Sequence, residues 1–225
     1  MIRRESKSIK KKVKLFVEGL TEENYFNGLK EEPDVCLSIK PVNMHGGGYS
    51  NFINILKKSD VLGNLAIFIV IDLDRASDDP KELNNLNNLV KYCNQQNKKK
   101  SSIPHILIGT NPDFEYFACS HCLNYKNSDT KSYIIDNFNY KDIQDYKADV
   151  DVYKKLNKEK KSYENALKHV KKYDVYFNYD YEIKKAELDI IIKLEKTSVE
   201  LKEHALSNKH SNVYDLFNVV FFDAH

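Results

Sequence analysis

The chain has 225 residues, 41% of them hydrophobic and 30% charged. At about 150 residues per domain, one domain with a sizeable core is expected and two is the upper bound. Seven Gly and five Pro exclude collagen-like and Gly/Pro-rich disordered chains, and the lack of any run of about 18 apolar residues excludes a membrane-spanning helix. The basic start MIRRESKSIKKKVK is not followed by the apolar stretch and cleavage site of a secretory signal, so a cytoplasmic protein without a membrane partner is expected. Cys36, Cys93, Cys119 and Cys122 are too few, and too apolar in setting, for a disulfide scaffold, and are expected as reduced thiols.

The formal net charge is only +2, but it is unevenly spread. Residues 1–14 hold seven basic residues and one acid, while the rest of the chain holds 28 basic and 32 acidic residues. A basic arm, residues 1–11, thus precedes a mildly acidic body. Such an arm can contact nucleic acid or simply keep a terminus solvated.

Strand and helix signals alternate through residues 12–138. Residues 12–19 (KVKLFVEG) predict a strand, and Thr21 is the expected cap of the helix that follows, with Glu22 and Glu23 favouring its dipole. Residues 35–44 predict a weaker strand interrupted by Pro41, and after Gly46-Gly47-Gly48 a helix capped by Ser50 is expected. Residues 65–73 (LAIFIVIDL) form a continuous apolar run, as expected of a parallel strand covered on both faces. Asp79-Pro80 marks the next helix start, residues 103–109 a fourth strand, and Asn111-Pro112-Asp113 another helix start. The order predicts an α/β fold with a mostly parallel four-stranded sheet flanked by helices. Residues 139–225 are expected to form a mainly helical extension whose apolar end, residues 212–222, packs back on the core.

Functional groups in such a fold gather at the carboxyl ends of the strands. Glu18 ends the first predicted strand, and Asp72 and Asp74 end the third. Side chains two apart on an extended chain share a side, so Asp72 and Asp74 can share a hard cation such as Mg²⁺ or Mn²⁺; alternatively they only cap the following loop. Glu115 falls in the first turn of the helix after the fourth strand, either to complete the site or to offset that helix dipole. Cys119-Ser120-His121-Cys122 has the C-x-x-C spacing of a redox or half-zinc site, but lies in an amphipathic helix where Cys serves as a small apolar filler and His121 as a packed histidine. Residues 154–172 hold eight Lys, and Lys154, Lys155, Lys158, Lys160, Lys161 and Lys168 are candidate phosphate contacts, or else a solvated helix face.

A Glu at the first strand end and an Asp-x-Asp at a later one resemble the Toprim domain of topoisomerases, primases and overcoming-lysogenisation-defect nucleases. Phe16-Val17-Glu18-Gly19 with Thr21-Glu22-Glu23 and Tyr25-Phe26 is similar to the "VEGxTEExYF" opening of the RloB-like family. Asn111-Pro112, Phe114-Glu115 and His121 are similar to its "NPxFExWLLLHF" segment, with Phe117 in place of Trp and with Cys119 and Cys122 in place of plain apolar residues. Residues 208–216 are loosely similar to an "NPSTxVxxLV" ending. The resemblance implies a Toprim-like, Rossmann-like fold and a phage-defence effector of the abortive-infection, restriction-associated kind.

It further implies a Mg²⁺- or Mn²⁺-dependent nuclease acting on DNA or RNA, tRNA included, and encoded beside an ABC- or SMC-like ATPase. The chain has no G-x-x-x-x-G-K-[ST] loop of its own, consistent with an ATPase supplied in trans. Asp72 and Asp74 would hold the metal, Glu18 would be a further ligand or the general acid/base, and Glu115 an auxiliary ligand. The competing expectation is a non-catalytic nucleic-acid-binding or regulatory subunit of the same ATPase complex. Homo-oligomerisation stays open.

Overall fold

The computed structural model describes residues 11–172, 175–186, 189–199 and 206–222. The basic arm lies outside these residues except for Lys11. Ile67, Phe68, Ile69, Val70 and Ile71 are all buried and leave no polar face for water, so the strand that carries them must be covered on both sides. That strand, β3 (Asn64–Asp72), is the middle member of a five-stranded sheet. The order is β2 (Ser38–Asn43), β1 (Lys12–Val17), β3, β4 (His105–Asn111) and β7 (His210–Ser211). The first four are parallel and β7 runs antiparallel to β4.

The chain steps outward from β1 to β2, then back past β1 to β3 and on to β4. Right-handed crossovers in these two directions put α1 (Leu20–Leu29) on one face and α2 (Gly48–Lys58) and α4 (Pro80–Asn97) on the other. α2 accordingly packs on α4, while α1 packs on α7 (Ile143–Ala148) and α8 (Val152–Leu156). The direction reverses between β1 and β3, where an open α/β sheet leaves a crevice at its carboxyl edge.

Several local expectations are corrected. α1 begins after Gly19 without a side-chain cap, and Thr21 is buried inside its first turn. α2 begins at Gly48, two residues before Ser50, because Gly47 takes the left-handed φ of 88° that starts it. Asp79 and Asp113 do cap α4 and α5 (Phe114–Cys119), accepting from the Lys81 and Tyr116 amides.

The sheet has a fifth strand, and the extension is not wholly helical. α6 (Thr130–Phe138), α7, α8, α9 (Tyr163–Val170) and α10 (Tyr214–Val220) are joined by a hairpin of β5 (Tyr181–Ala186) and β6 (Asp189–Leu194). Ile192 and Leu194 alternate with exposed Ile191 and Lys193, a period of two set within a stretch charged enough to resemble a helix surface. Beyond β7, Asn212 extends the β4 edge with its side chain, accepting from the Gly109 amide at 2.8 Å and donating to the Leu107 carbonyl at 3.0 Å. No helix among the described residues is long and apolar enough to cross a membrane.

Gly28 of α1 faces Tyr153 of α8, and an added methyl there would collide with the Tyr153 side chain. Ala ordinarily stabilises a helix over Gly by about 1 kcal/mol. Gly28→Ala should instead destabilise the protein by about 1–3 kcal/mol through overpacking, measured by urea unfolding; a stabilised variant would contradict this packing.

Candidate active site

β1 stops at Val17, and the next residue, Glu18, continues the ladder with its side chain. Its Oε2 accepts from the Asp72 amide at 3.1 Å, at the end of β3. Its Oε1 lies 3.7 Å from Arg75 Nη2. The Tyr49 hydroxyl, on α2, donates to the Asp72 carbonyl at 2.7 Å.

The strand does not continue through Asp74. Leu73 turns into helical backbone, with φ −107° and ψ −2°, and Asp74 opens α3 (Asp74–Asp78). The expectation of two carboxylates on one extended face is therefore corrected. The turn is fixed from β4's side, since the Pro112 carbonyl accepts from both the Leu73 and Asp74 amides, at 3.0 and 2.9 Å. Asp74 Oδ1 accepts from the Arg75 amide at 2.7 Å. Both aspartates nonetheless line one cleft of about 620 Å³, together with Glu18 and Glu115. Glu115, on α5, is buried and pairs with Lys147 of α7 at 3.0 Å.

The cleft also contains Glu22, Arg75 and Lys147, none of which the sequence reading assigned to a site. Glu22 follows Glu18 by one helical turn and Arg75 directly follows Asp74, so both carried a positional signal. Lys147 carried none, since it reaches the cleft only because α7 packs on α1.

Five carboxylates thus share the lining with Arg75 and Lys147. Burial pushes Asp72 well above the usual carboxylate range, and the charges of Glu22, Glu18, Glu115 and Asp113 add to it. Burial, with Glu115 and Glu18, raises Glu22 to about 7. Burial and Glu115 raise Asp113 to about 6. Glu18 is also raised, by burial, against the opposing effects of the Asp72 amide and Arg75. Asp72 Oδ1 is shut off from solvent and has no hydrogen-bond partner.

An unpartnered buried carboxylate oxygen among like charges is costly, and a cation relieves both penalties. An all-oxygen donor set suits a hard ion such as Mg²⁺ or Mn²⁺. Asp72, Glu18 and Asp74 fit such an ion in chemistry, although among the described residues no three His, Cys, Asp or Glu side chains stand close enough to ring one.

The basic run lies elsewhere. Lys154 pairs with Asp151 at 2.8 Å, Lys155 pairs with Asp149 at 2.9 Å, and Lys158 stands 3.9 Å from Glu159. Lys161 lies over the Phe138 ring, Lys160 is exposed, and Lys168 lines a separate groove with Tyr163, Phe217 and Phe221. None of these six lysines lines the cleft.

His121 is a core histidine. Its Nδ1 donates to the Phe117 carbonyl at 3.0 Å, which leaves Nε2 to accept from the Tyr25 hydroxyl at 2.9 Å, and burial lowers its pKa to about 4. Cys119 is buried, with its thiol pKa pushed up by burial and its Sγ donating to the Thr130 carbonyl. These contacts make both residues packing elements.

The Glu22 carboxyl has a pKa of about 7 in the fold, against about 4.3 in an unfolded chain. Its proton is held more tightly by the native state. The associated stability is complete below about pH 4 and is lost as pH rises through about 7. In metal-free buffer, Glu22→Gln should match the wild type near about pH 4 and exceed it near about pH 8, by up to about 3–4 kcal/mol. Urea unfolding across this range tests it; a pH-independent difference would contradict the buried-charge account.

The sequence model of the RloB-like protein family matches residues 13–218. No curated protein matches the chain significantly. No solved structure does so either. A match over this much of the sequence, with Glu18, Asp72, Asp74 and Glu115 all inside it, settles the family: the chain belongs to the RloB-like proteins.

Proposed function

We propose that the cleft is the active site of a Toprim-like, divalent-cation-dependent nuclease that hydrolyses phosphodiester bonds of DNA or RNA. The observation that carries this reading is the unpartnered, buried Asp72 Oδ1 among carboxylates that raise its pKa at the carboxyl edge of β1 and β3. Such a charge arrangement is kept at a cost in stability and has a use when a metal is bound.

Asp72 and Asp74 would hold the ion, with Glu18 as a further ligand whose orientation is fixed by the Asp72 amide. Mg²⁺ or Mn²⁺, when bound, would supply positive charge at the scissile phosphate and would favour deprotonation of the attacking water. Glu22, with its pKa near neutrality, accepts or returns a proton at its carboxylate oxygens. Glu115 pairs with Lys147 at the cleft wall and would be an auxiliary ligand to the ion. The RloB-like identity and the lack of a phosphate-binding loop in the sequence support a role as the effector of a phage-defence system, with an ABC- or SMC-like ATPase supplied by another chain.

Asp74→Ala should lower metal-dependent cutting of plasmid DNA, single-stranded DNA or tRNA by at least about a hundredfold, with little change in unfolding midpoint. Undiminished cutting would overturn the assignment. That no three His, Cys, Asp or Glu side chains among the described residues stand close enough to ring an ion favours one other reading, a binding or regulatory subunit of the ATPase complex. That reading predicts no cutting even with the ATPase present, and nucleic-acid binding in EDTA that survives Asp72→Asn with Asp74→Asn.

A further inference from the structure

Arginine is scarce in this chain. Of 35 basic residues only Arg3, Arg4 and Arg75 are arginine, and Arg75 alone lies beyond the N-terminal arm. It stands in the carboxylate cleft with its side chain 47% exposed and Nη2 3.7 Å from Glu18 Oε1. That separation exceeds the roughly 3.2 Å reach of an N–H···O bond, so charge, and not bonding geometry, holds the guanidinium there. The other cation of the lining, Lys147, is also 47% exposed and sits 3.0 Å from Glu115 Oε1. Each cation therefore rests on a carboxylate of the site with its side chain half exposed.

Five carboxyl groups against these two cations leave the cleft with an excess of acidic oxygens, which disfavours a polyanion. A phosphate is accommodated only when that charge is neutralised and donors are free to receive it. A divalent ion on the carboxylates achieves both, because it competes with Arg75 and Lys147 for the same oxygens. We propose that Arg75 and Lys147 are exchangeable counter-cations that couple divalent-ion binding to polyanion binding. They rest on Glu18 and Glu115 when no ion is bound, are displaced by the ion, and then hold phosphate oxygens of the nucleic acid. This inference rests on the metal-dependent reading of the cleft. It also accounts for an arginine in a lysine-dominated composition: the planar fork binds two phosphate oxygens at once, which an ammonium does not. Linkage makes the coupling reciprocal, so nucleic acid raises ion affinity by the same factor.

The test uses Mn²⁺ titration calorimetry on the protein alone, and fluorescence anisotropy of a labelled single-stranded oligonucleotide in Ca²⁺ and in EDTA. Arg75→Gln and Lys147→Gln should each bind Mn²⁺ about three- to thirtyfold more tightly, because a competing charge is gone. The ratio of oligonucleotide affinities with and without Ca²⁺ should fall toward one in the double variant. Lys184→Gln, on the β5–β6 hairpin, should change neither quantity. Weaker Mn²⁺ binding in either variant at unchanged melting temperature, or an undiminished affinity ratio, overturns the coupling. A wild-type protein that binds no Mn²⁺ overturns the metal-dependent reading itself, and the coupling with it. Wild-type Mn²⁺ binding and cutting with an undiminished ratio in the double variant overturns the coupling alone.

Discussion

The hydrogen bond from the Asp72 amide to the Glu18 carboxylate, 3.1 Å long, holds the carboxyl edge of the sheet together. β1 and β3 are parallel neighbours, so their ends emerge side by side, and a side chain takes over where the backbone ladder stops. One oxygen of Glu18 is committed to this bond and the other faces outward toward Arg75. Asp72 is thereby drawn down into the edge of the core, where its Oδ1 loses water without gaining a partner. The Pro112 carbonyl then pins the Leu73–Asp74 turn from the β4 side. Three consecutive strand ends thus bear on one cleft, at the point where the chain's direction across the sheet reverses.

The same edge is electrostatically expensive. Burial raises Asp72, Glu22, Asp113 and Glu18 above their usual range, and all but the last also feel Glu115. A fold selected for stability alone would replace such groups with apolar residues or pair each of them. Among the described residues of the cleft, Glu18 and Glu115 stand in ion pairs, and both partner side chains are half exposed. The cleft therefore gathers acidic groups beside two half-exposed cations, the arrangement on which the proposed cation and phosphate binding rests. The basic run contributes little to it, since Lys154 and Lys155 are neutralised by their own neighbours Asp151 and Asp149.

Sequence carried the parts of this structure that depend on local pattern. The apolar run of β3 announced a strand covered on both faces, and the order of elements placed Glu18, Asp72 and Glu115 on one rim. Pattern failed where tertiary contacts decide. β7 is two residues long and exists only because β4 offers an edge. The β5–β6 hairpin hid in a charged stretch whose alternation is short. α2 starts at Gly48 because of a left-handed glycine, not a hydroxyl cap. Asp74 left the strand because Leu73 is claimed by the core and turns the chain into α3. Lys147 was invisible because its place in the cleft is set by α7 docking on α1, an association that no spacing in the sequence encodes.

The central claim is that Asp72 and its neighbours bind a divalent cation. Anomalous diffraction from crystals soaked in Mn²⁺ tests it most directly. The account predicts a manganese peak at about 2.1 Å from an Asp72 oxygen, shared with Glu18 or Asp74 and lost in Asp72→Asn. A cleft without a peak, or a peak that persists unchanged in Asp72→Asn, would contradict it.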